Sequence, residues 1–168
     1  MDVRARRATE TDLGELVRLY RLLEQEMVAL KAVWALADGL AEPAEASLKE
    51  ALEEPDATLW VGEIEGVPLG FVLARVEPLL EQGGDGTTGP MGAPMGAVGA
   101  VRLIFTEPQA RGVGLGEVML EAALDELRGR GLRLFDAHVL PGHRDAKNFF
   151  EAAEFSARSI VMHHEDEG

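Results

Sequence analysis

A glycine-dense turn lies between an apolar strand pattern and an amphipathic helix pattern, and it constrains this chain more than any other feature. Residues 101–120 read VRLIFTEPQARGVGLGEVML, with Gly112, Gly114 and Gly116 in the turn and Arg111 directly before them. Glycine permits positive φ and close approach, so several backbone N–H groups can converge at the start of the helix. Helix N-termini favour anions, and Arg111 adds a fixed positive charge. The turn therefore predicts a site for a pyrophosphate, with an ordinary strand-to-helix turn as the alternative.

The composition fits a single domain spanning residues 1–168. Of the 168 residues, 46% are hydrophobic and 27% are charged, which is enough apolar surface for a sizeable core. No charge-free run of about 18 apolar residues occurs, and MDVRARRATETD lacks the apolar stretch of a secretion signal. We therefore expect a cytoplasmic protein that does not contact membranes. The absence of cysteine excludes disulfides, thiolate metal sites and a cysteine nucleophile.

The formal net charge of −14 argues against nucleic acid as a partner, because duplex binding requires clustered cationic side chains. An acidic surface attracts amines instead, although it also serves solubility. The adjacent His163 and His164 do not predict a metal site, because neighbouring residues on a strand point to opposite faces. No metal is expected.

Hydrophobic periodicity predicts an alternation of strands and helices. A strand at 3–7 precedes an amphipathic helix that begins near residue 13 and whose apolar stripe could extend to Trp34, and a second helix ends before Pro55. Segments 59–64 and 67–76 flank Glu65-Gly66 and predict an antiparallel hairpin. Further strands are predicted at 98–106 and 132–139, a helix at 144–153 and a last extended segment at 155–163.

Segment 77–97 has a different composition from the rest of the chain. It reads EPLLEQGGDGTTGPMGAPMGA and contains the tetrad Pro-Met-Gly-Ala twice in tandem. Glycine and proline at this density exclude a long regular element, so a flexible loop is predicted, either a bystander or a substrate lid. The order β, α, α, β, β, loop, β, α, β, α, β gives an α/β fold with a largely antiparallel start and a right-handed βαβ unit around the glycine turn.

The glycine turn differs from two better-known phosphate-binding motifs. No Lys-Ser or Lys-Thr pair follows Gly116, so the residues with which a Walker A loop reaches terminal phosphates and magnesium are missing. The spacing is G-x-G-x-G, and a hairpin precedes the turn, which is not the arrangement of a dinucleotide-binding fold.

Two segments resemble the GCN5-related N-acetyltransferases. Arg111-Gly112-Val113-Gly114-Leu115-Gly116 is similar to the family's R/Q-x-x-G-x-G/A motif, and Pro108 stands three residues before the arginine. Ala146-Lys147-Asn148-Phe149-Phe150-Glu151, closing with Phe155, resembles the late A-x-x-F-Y-E-x-x-G-F helix, with Glu154 in place of the glycine. Both motifs lie in the family's order, with a strand between them.

The resemblance implies a mixed, mostly antiparallel central sheet flanked by helices, with a βαβ core that binds acetyl-CoA as a co-substrate. The pyrophosphate would be held by backbone N–H groups of 112–117, and the splayed end of the central strand would offer main-chain partners to the pantetheine arm. The residues assigned to the cofactor are Ile104, Phe105, Thr106, Arg111, Gly112, Val113, Gly114, Leu115, Gly116, Glu117, Ala146, Asn148 and Phe149. For Phe149, plain core packing is the alternative.

Acetyl transfer to an amine requires a base and a proton for the leaving thiolate. By resemblance, His138 takes the place of a catalytic glutamate, and an imidazole titrates near neutral pH. A structural histidine is the alternative. Phe150 replaces the family's proton-donating tyrosine, which leaves His143 or water as the donor, because Tyr20 falls on the core stripe of the first helix.

The resemblance therefore predicts transfer of an acetyl group to a primary amine of an unidentified small molecule or peptide. The alternative is a catalytically degenerate acyl-CoA-binding sensor or interaction module, which the replacement of the tyrosine by Phe150 suggests. A homodimer is possible, because the last strand leaves an edge to be covered.

Overall fold

The computed structural model describes residues 1–30, 39–79 and 96–168. These residues form a mixed sheet flanked by helices on both faces. In chain order the elements are β1 (Val3–Arg7), α1 (Leu13–Leu30), α2 (Ala44–Glu53), β2 (Ala57–Ile64), β3 (Val67–Pro78), β4 (Ala97–Thr106), α3 (Leu115–Gly129), β5 (Phe135–Ala137) and α4 (Arg144–Ala152). None of the helices in these ranges is long and apolar enough to cross a membrane.

The strands lie in the order β1-β2-β3-β4-β5. The first three neighbouring pairs are antiparallel, and β4 pairs with β5 in parallel. This confirms the predicted α/β class, the hairpin and the βαβ unit. At the hairpin, Glu65 and Gly66 both have positive φ, 51° and 79°, as a tight turn that follows the strand twist requires.

Each face of the sheet is covered by a separate layer of apolar side chains. The layer under α1 and α2 includes the fully buried Leu16, Leu19, Leu48, Phe71 and Leu73. The layer under α3 includes Val72, Val101, Leu115, Met119 and Leu127. The hydrophobic stripe predicted for the first helix therefore faces the sheet, as its 3.6-residue period requires.

Two glycines let α3 approach the sheet closely. A Cβ atom at Gly62 of β2 would lie 2.5 Å from Met119 Sδ, and one at Gly70 of β3 would lie 2.8 Å from Met119 Cε. Both distances are shorter than real Cβ contacts, so the Met119 side chain fills the space that the missing side chains leave.

A bulge in β4 changes which face its side chains occupy. Leu73 pairs with Leu103 and Ala74 with Val101, so Arg102 has no partner opposite it in β3. Before the bulge, Val101 belongs to the layer under α3, whereas Leu103 and Phe105 after it belong to the layer under α1. Bulges bend the strand that carries them, and β4 leaves its parallel neighbour at this point.

Several predicted boundaries are wrong. The strand predicted at 132–139 is limited to Phe135–Ala137, because β4 is available for pairing only at Gly99–Val101, before the bulge. The extended segment predicted at 155–163 forms no strand and leaves Ile160, Val161 and Met162 exposed.

The loop predicted at 77–97 is shorter than expected at both ends. β3 continues to Pro78 and β4 begins at Ala97, because Glu77 and Pro78 pair with Val98 and Ala97. The remainder of that loop, and the extension of the first helix to Trp34, lie outside the described residues.

Candidate active site

The glycine turn follows β4 and a short 3₁₀ turn, Pro108–Ala110. Gly112 and Gly114 have φ values of 82° and 88°, in the left-handed region. A Cβ atom at either position would meet no other atom within 4 Å. Glycine is therefore required at these two positions by backbone conformation rather than by lack of space.

The turn ends at the N-terminus of α3, where Gly114 is the N-cap residue. The Gly114 carbonyl accepts the first helical hydrogen bond from the N–H of Val118 at 3.1 Å. The N–H groups of Leu115, Gly116 and Glu117 precede that bond and so have no acceptor within the helix. They point out of the helix end together with its positive dipole, as a cradle for an anion requires.

Gly116 is constrained by packing. A Cβ atom there would lie 3.0 Å from the ring of Phe149 on α4, so the missing side chain lets α4 lie directly against the start of α3. This contact places the late motif helix beside the glycine turn. The two motifs, about thirty residues apart in the chain, both line one space.

That space is a cavity of about 210 Å³ bounded by α1, the end of β4, the glycine turn and the start of α4. Eleven of the predicted site residues line it, namely Ile104, Phe105, Thr106, Arg111, Gly112, Leu115, Gly116, Glu117, His143, Ala146 and Phe149. Val113, Gly114 and Asn148 do not line it: the side chains of Val113 and Asn148 lie exposed elsewhere on the surface, and Gly114 contributes through the backbone conformation of the turn.

The end of β4 faces the cavity with one edge free of its parallel neighbour. β5 pairs with β4 only at Gly99–Val101, and the N–H of His138 donates to the Val101 carbonyl at 3.2 Å. Beyond that hydrogen bond, β4 and the segment that follows β5 separate, while β3 continues beside β4 as far as Thr106. In the described part of the chain, residues 104–106 therefore turn one main-chain edge to the cavity rather than to β5.

The guanidinium of Arg111 crosses this edge. Its Nε donates to the Thr106 carbonyl at 2.9 Å, and its Nη2 donates to Glu26 Oε2 at 2.7 Å. The guanidinium carbon lies 5.6 Å from the centre of the Phe105 ring. Arg111 therefore reaches back toward α1, instead of extending along the turn that follows it.

His143 lies at the start of α4 and lines the cavity. Its Nε2 is 3.8 Å from Glu26 Oε1. Burial lowers the pKa of His143 below the ordinary histidine value of 6.5, and the nearby carboxylates of Glu26 and Asp145 only partly oppose this effect. The imidazole is therefore neutral at pH 7.

His138 does not line the cavity. It is exposed, and the Nη1 of Arg102 lies 3.0 Å from its Nδ1 and 2.9 Å from its Nε2. Such similar distances place the guanidinium over the imidazole ring rather than in line with one lone pair. Arg102 Nε also lies 3.1 Å from Glu77 Oε1. His138 thus belongs to a surface cluster outside the cavity, and its role as the base stays a prediction from the sequence.

Two further aromatic residues are buried in the core. Phe150, which stands where the tyrosine of the late motif is expected, is 4% exposed and packs edge-on against the rings of Phe149 and Phe155. Tyr20 is 1% exposed, and its hydroxyl oxygen accepts a hydrogen bond from the N–H of Leu40 at 2.9 Å. The prediction that Tyr20 belongs to the core is confirmed.

Glu26 is a site residue that the sequence analysis missed. It lies on α1, three residues after Leu23 and one before Met27, both of which are buried in the core. A carboxylate directly beside an apolar stripe is a weak signal, because most such residues are solvated. Its position opposite Arg111 depends on how α1 crosses the end of β4, which no local pattern specifies.

Comparison with known proteins supplies independent evidence. The family model described as "Acetyltransferase (GNAT) family" matches residues 16–155. A mycothiol acetyltransferase from Cellulomonas flavigena is 34% identical over 118 residues, which are 68% of this chain and 32% of that protein. The chain thus spans about a third of the length of this curated relative.

Solved structures share the fold at low sequence identity. AAC(6')-Iy, in complex with the bisubstrate analogue CoA-S-monomethyl-acetylneamine, superposes with a TM-score of 0.70 at 19% identity, over all of both chains. A GCN5-related N-acetyltransferase from Ralstonia eutropha gives a TM-score of 0.73 at 18% identity, over 98% of this chain and 99% of the other. With a family model that matches most of its length, this chain belongs to the acetyltransferase (GNAT) family of enzymes.

Proposed function

We propose that this chain transfers an acetyl group from acetyl-CoA to a primary amine of a small molecule or peptide. The observation that carries the proposal is the single cavity in which the glycine turn, the free edge of β4 and the start of α4 meet. The family match and the CoA analogue bound by the structurally similar AAC(6')-Iy support the same donor.

The residues around the cavity fit the parts of acetyl-CoA. The backbone N–H groups at the start of α3 suit the pyrophosphate, and the free edge of residues 104–106 suits the amides of the pantetheine arm. Ala146 and Phe149 provide an apolar wall opposite that edge. When bound, acetyl-CoA supplies an activated thioester carbonyl, and the protein then needs only to orient an amine and to move protons.

We assign the proton transfer to His143 rather than to His138. His143 lines the cavity, and because burial lowers its pKa, its imidazole is neutral at pH 7 and can accept a proton from the acceptor ammonium. The resulting imidazolium can return that proton to the departing thiolate, while the second proton, which the nitrogen must lose to become an amide, passes to solvent. His143 thereby serves as base for the amine and as acid for the thiolate. The reaction then needs no proton donor at the position of Phe150, whose phenyl ring is buried.

The thiol is also a comparatively good leaving group. Its pKa is about 8.5, far below that of an alcohol or an amine, so its departure needs little assistance. The absence of a phenol at position 150 is therefore compatible with turnover.

The single-domain organisation, the cytoplasmic location and the possible homodimer remain predictions from the sequence.

An acceptor screen tests the proposed function. The protein is incubated with acetyl-CoA and a broad amine panel at pH 7, and released CoA is detected through its thiol. We expect amine-dependent release that falls at least tenfold in His143→Ala, while the CoA dissociation constant stays within threefold. His138→Ala is the matched control and should retain most of the activity. CoA binding without turnover of any amine would contradict the proposal and favour a binding module.

A further inference from the structure

The guanidinium of Arg111 is held by groups on α1 and at the end of β4. A carboxylate oxygen of Glu26, the carbonyl oxygen of Thr106 and the face of the Phe105 ring all surround one guanidinium, that of Arg111. Anionic oxygen, carbonyl oxygen and an aromatic face are the three groups that bind ammonium ions in proteins. In this structure the chain fills the site with its own side chain.

We propose that Glu26 binds the protonated amine of the acceptor, in place of the Arg111 guanidinium, and thereby selects acceptors that are cationic at pH 7. This inference rests on the proposed function. Arg111 is the first residue of the glycine turn, directly before the N–H groups proposed to bind the pyrophosphate. A bound pyrophosphate therefore competes with Glu26 for the Arg111 guanidinium. When Arg111 turns to that anion, Glu26 is left with its charge uncompensated inside the cavity.

The electrostatic surroundings favour a cation in this position. Among the described residues, the cavity is lined by the carboxylates of Glu26, Glu117 and Asp145 and by one guanidinium, that of Arg111, and the neutral imidazole of His143 adds no charge. Glu26 is only 29% exposed, so its attraction for a cation is screened less than that of a surface carboxylate. An arylamine is neutral at pH 7, so these carboxylates do not strengthen its binding.

The position of Glu26 also suits the reaction. An ammonium bound to its carboxylate lies beside His143, whose Nε2 is 3.8 Å from Glu26 Oε1. The N–H proton passes from the ammonium to His143 Nε2, and the neutral amine then forms the new C–N bond while the C–S bond breaks. The His143 imidazolium protonates the departing thiolate, and the second proton, left on the new amide nitrogen, passes to solvent. Glu26 acts in this scheme as a specificity-determining residue, and His143 receives the proton.

The test compares Glu26→Gln with Glu24→Gln, a carboxylate on the same helix that pairs with Arg21 and does not line the cavity. The panel holds cationic alkylamines, polyamines and amino sugars, with anilines as neutral acceptors. We expect the wild type to prefer cationic acceptors and Glu26→Gln to raise their KM about tenfold or more, because a charge-assisted hydrogen bond is lost. Glu24→Gln should match the wild type, and calorimetry should show CoA binding to Glu26→Gln within threefold of wild type or tighter.

The outcomes separate this inference from the proposed function. A KM in Glu26→Gln within twofold of the wild type, or a preference for anilines, overturns the role of Glu26 while leaving acetyl transfer intact. CoA binding weakened by the same factor as KM is raised assigns Glu26 to the cofactor site and also overturns it. A protein that binds CoA but acetylates no amine contradicts the proposed function, and the role of Glu26 with it.

Discussion

Gly114→Ala is the substitution that tests the glycine cradle most sharply. Gly114 has φ 88° and ψ 6° and directly precedes α3. A Cβ atom there would meet nothing within 4 Å, so the substitution adds no clash and acts through backbone strain alone. Holding a non-glycine residue in the left-handed region costs about 1–2 kcal/mol.

That strain can appear in either of two measurements. If the turn keeps its conformation, the melting temperature falls by about 2–8 °C, since 1 kcal/mol corresponds to about 2–4 °C in a chain of this size. If the turn relaxes instead, the N–H groups at the start of α3 move, and the CoA dissociation constant rises by up to about thirtyfold for the same free energy. Calorimetric melting and CoA titration on one sample measure both.

Gly129→Ala is the matched control. Gly129 is the last residue of α3, and a Cβ atom there also meets nothing within 4 Å. Alanine is the better helix former, so this variant should melt at or slightly above the wild-type temperature and bind CoA normally. A Gly114→Ala protein with unchanged melting and unchanged CoA affinity would refute both the strain and the cradle.

Three further outcomes are expected. Gly62→Ala should destabilise the fold by about 1–3 kcal/mol in urea unfolding, because its Cβ would lie 2.5 Å from Met119 Sδ; unchanged stability would mean that α3 does not pack as described. Hydrogen bonds from Arg6 lower the pKa of Asp12 below its ordinary 3.8, so the stability that this carboxylate adds is present above pH 3.8 and is lost as pH falls further. Asp12→Asn should therefore be less stable than the wild type at pH 7, by about 1–2 kcal/mol, and this difference should shrink as pH falls below 3.8. Because burial lowers the pKa of His143, kcat/KM should begin to fall only below pH 6.5, and an acidic limb above that value would argue against His143 as the proton acceptor.

The strands and helices with clear periodicity could be predicted from sequence. β1 has the predicted bounds, and the Glu65-Gly66 turn predicted the hairpin, because two residues between alternating strands leave few other geometries. The glycine turn was equally readable, since Gly112 and Gly114 both adopt the positive φ that made glycine informative there.

The errors arise where long-range geometry decides the outcome. The pattern of residues 132–139 is that of a longer strand, yet β5 ends at Ala137 because the bulge at Arg102 turns β4 away. Nothing in residues 132–139 contains that information. The crossing of α1 brings Glu26 to the cavity, and the separation of β4 and β5 leaves His138 outside it, and no local sequence pattern contains either fact.

In the proposed complex, the N–H groups that follow Arg111 hold the pyrophosphate of acetyl-CoA. Amide chemical shifts measured by ¹⁵N NMR during titration with acetyl-CoA test it directly, with acetyl-pantetheine, which lacks the pyrophosphate, as the comparison ligand. We predict saturable shifts at Gly112, Gly114, Gly116 and Glu117 with acetyl-CoA, and much smaller shifts at these four amides with acetyl-pantetheine. Saturable binding of acetyl-CoA that leaves these four amides unmoved would contradict the account.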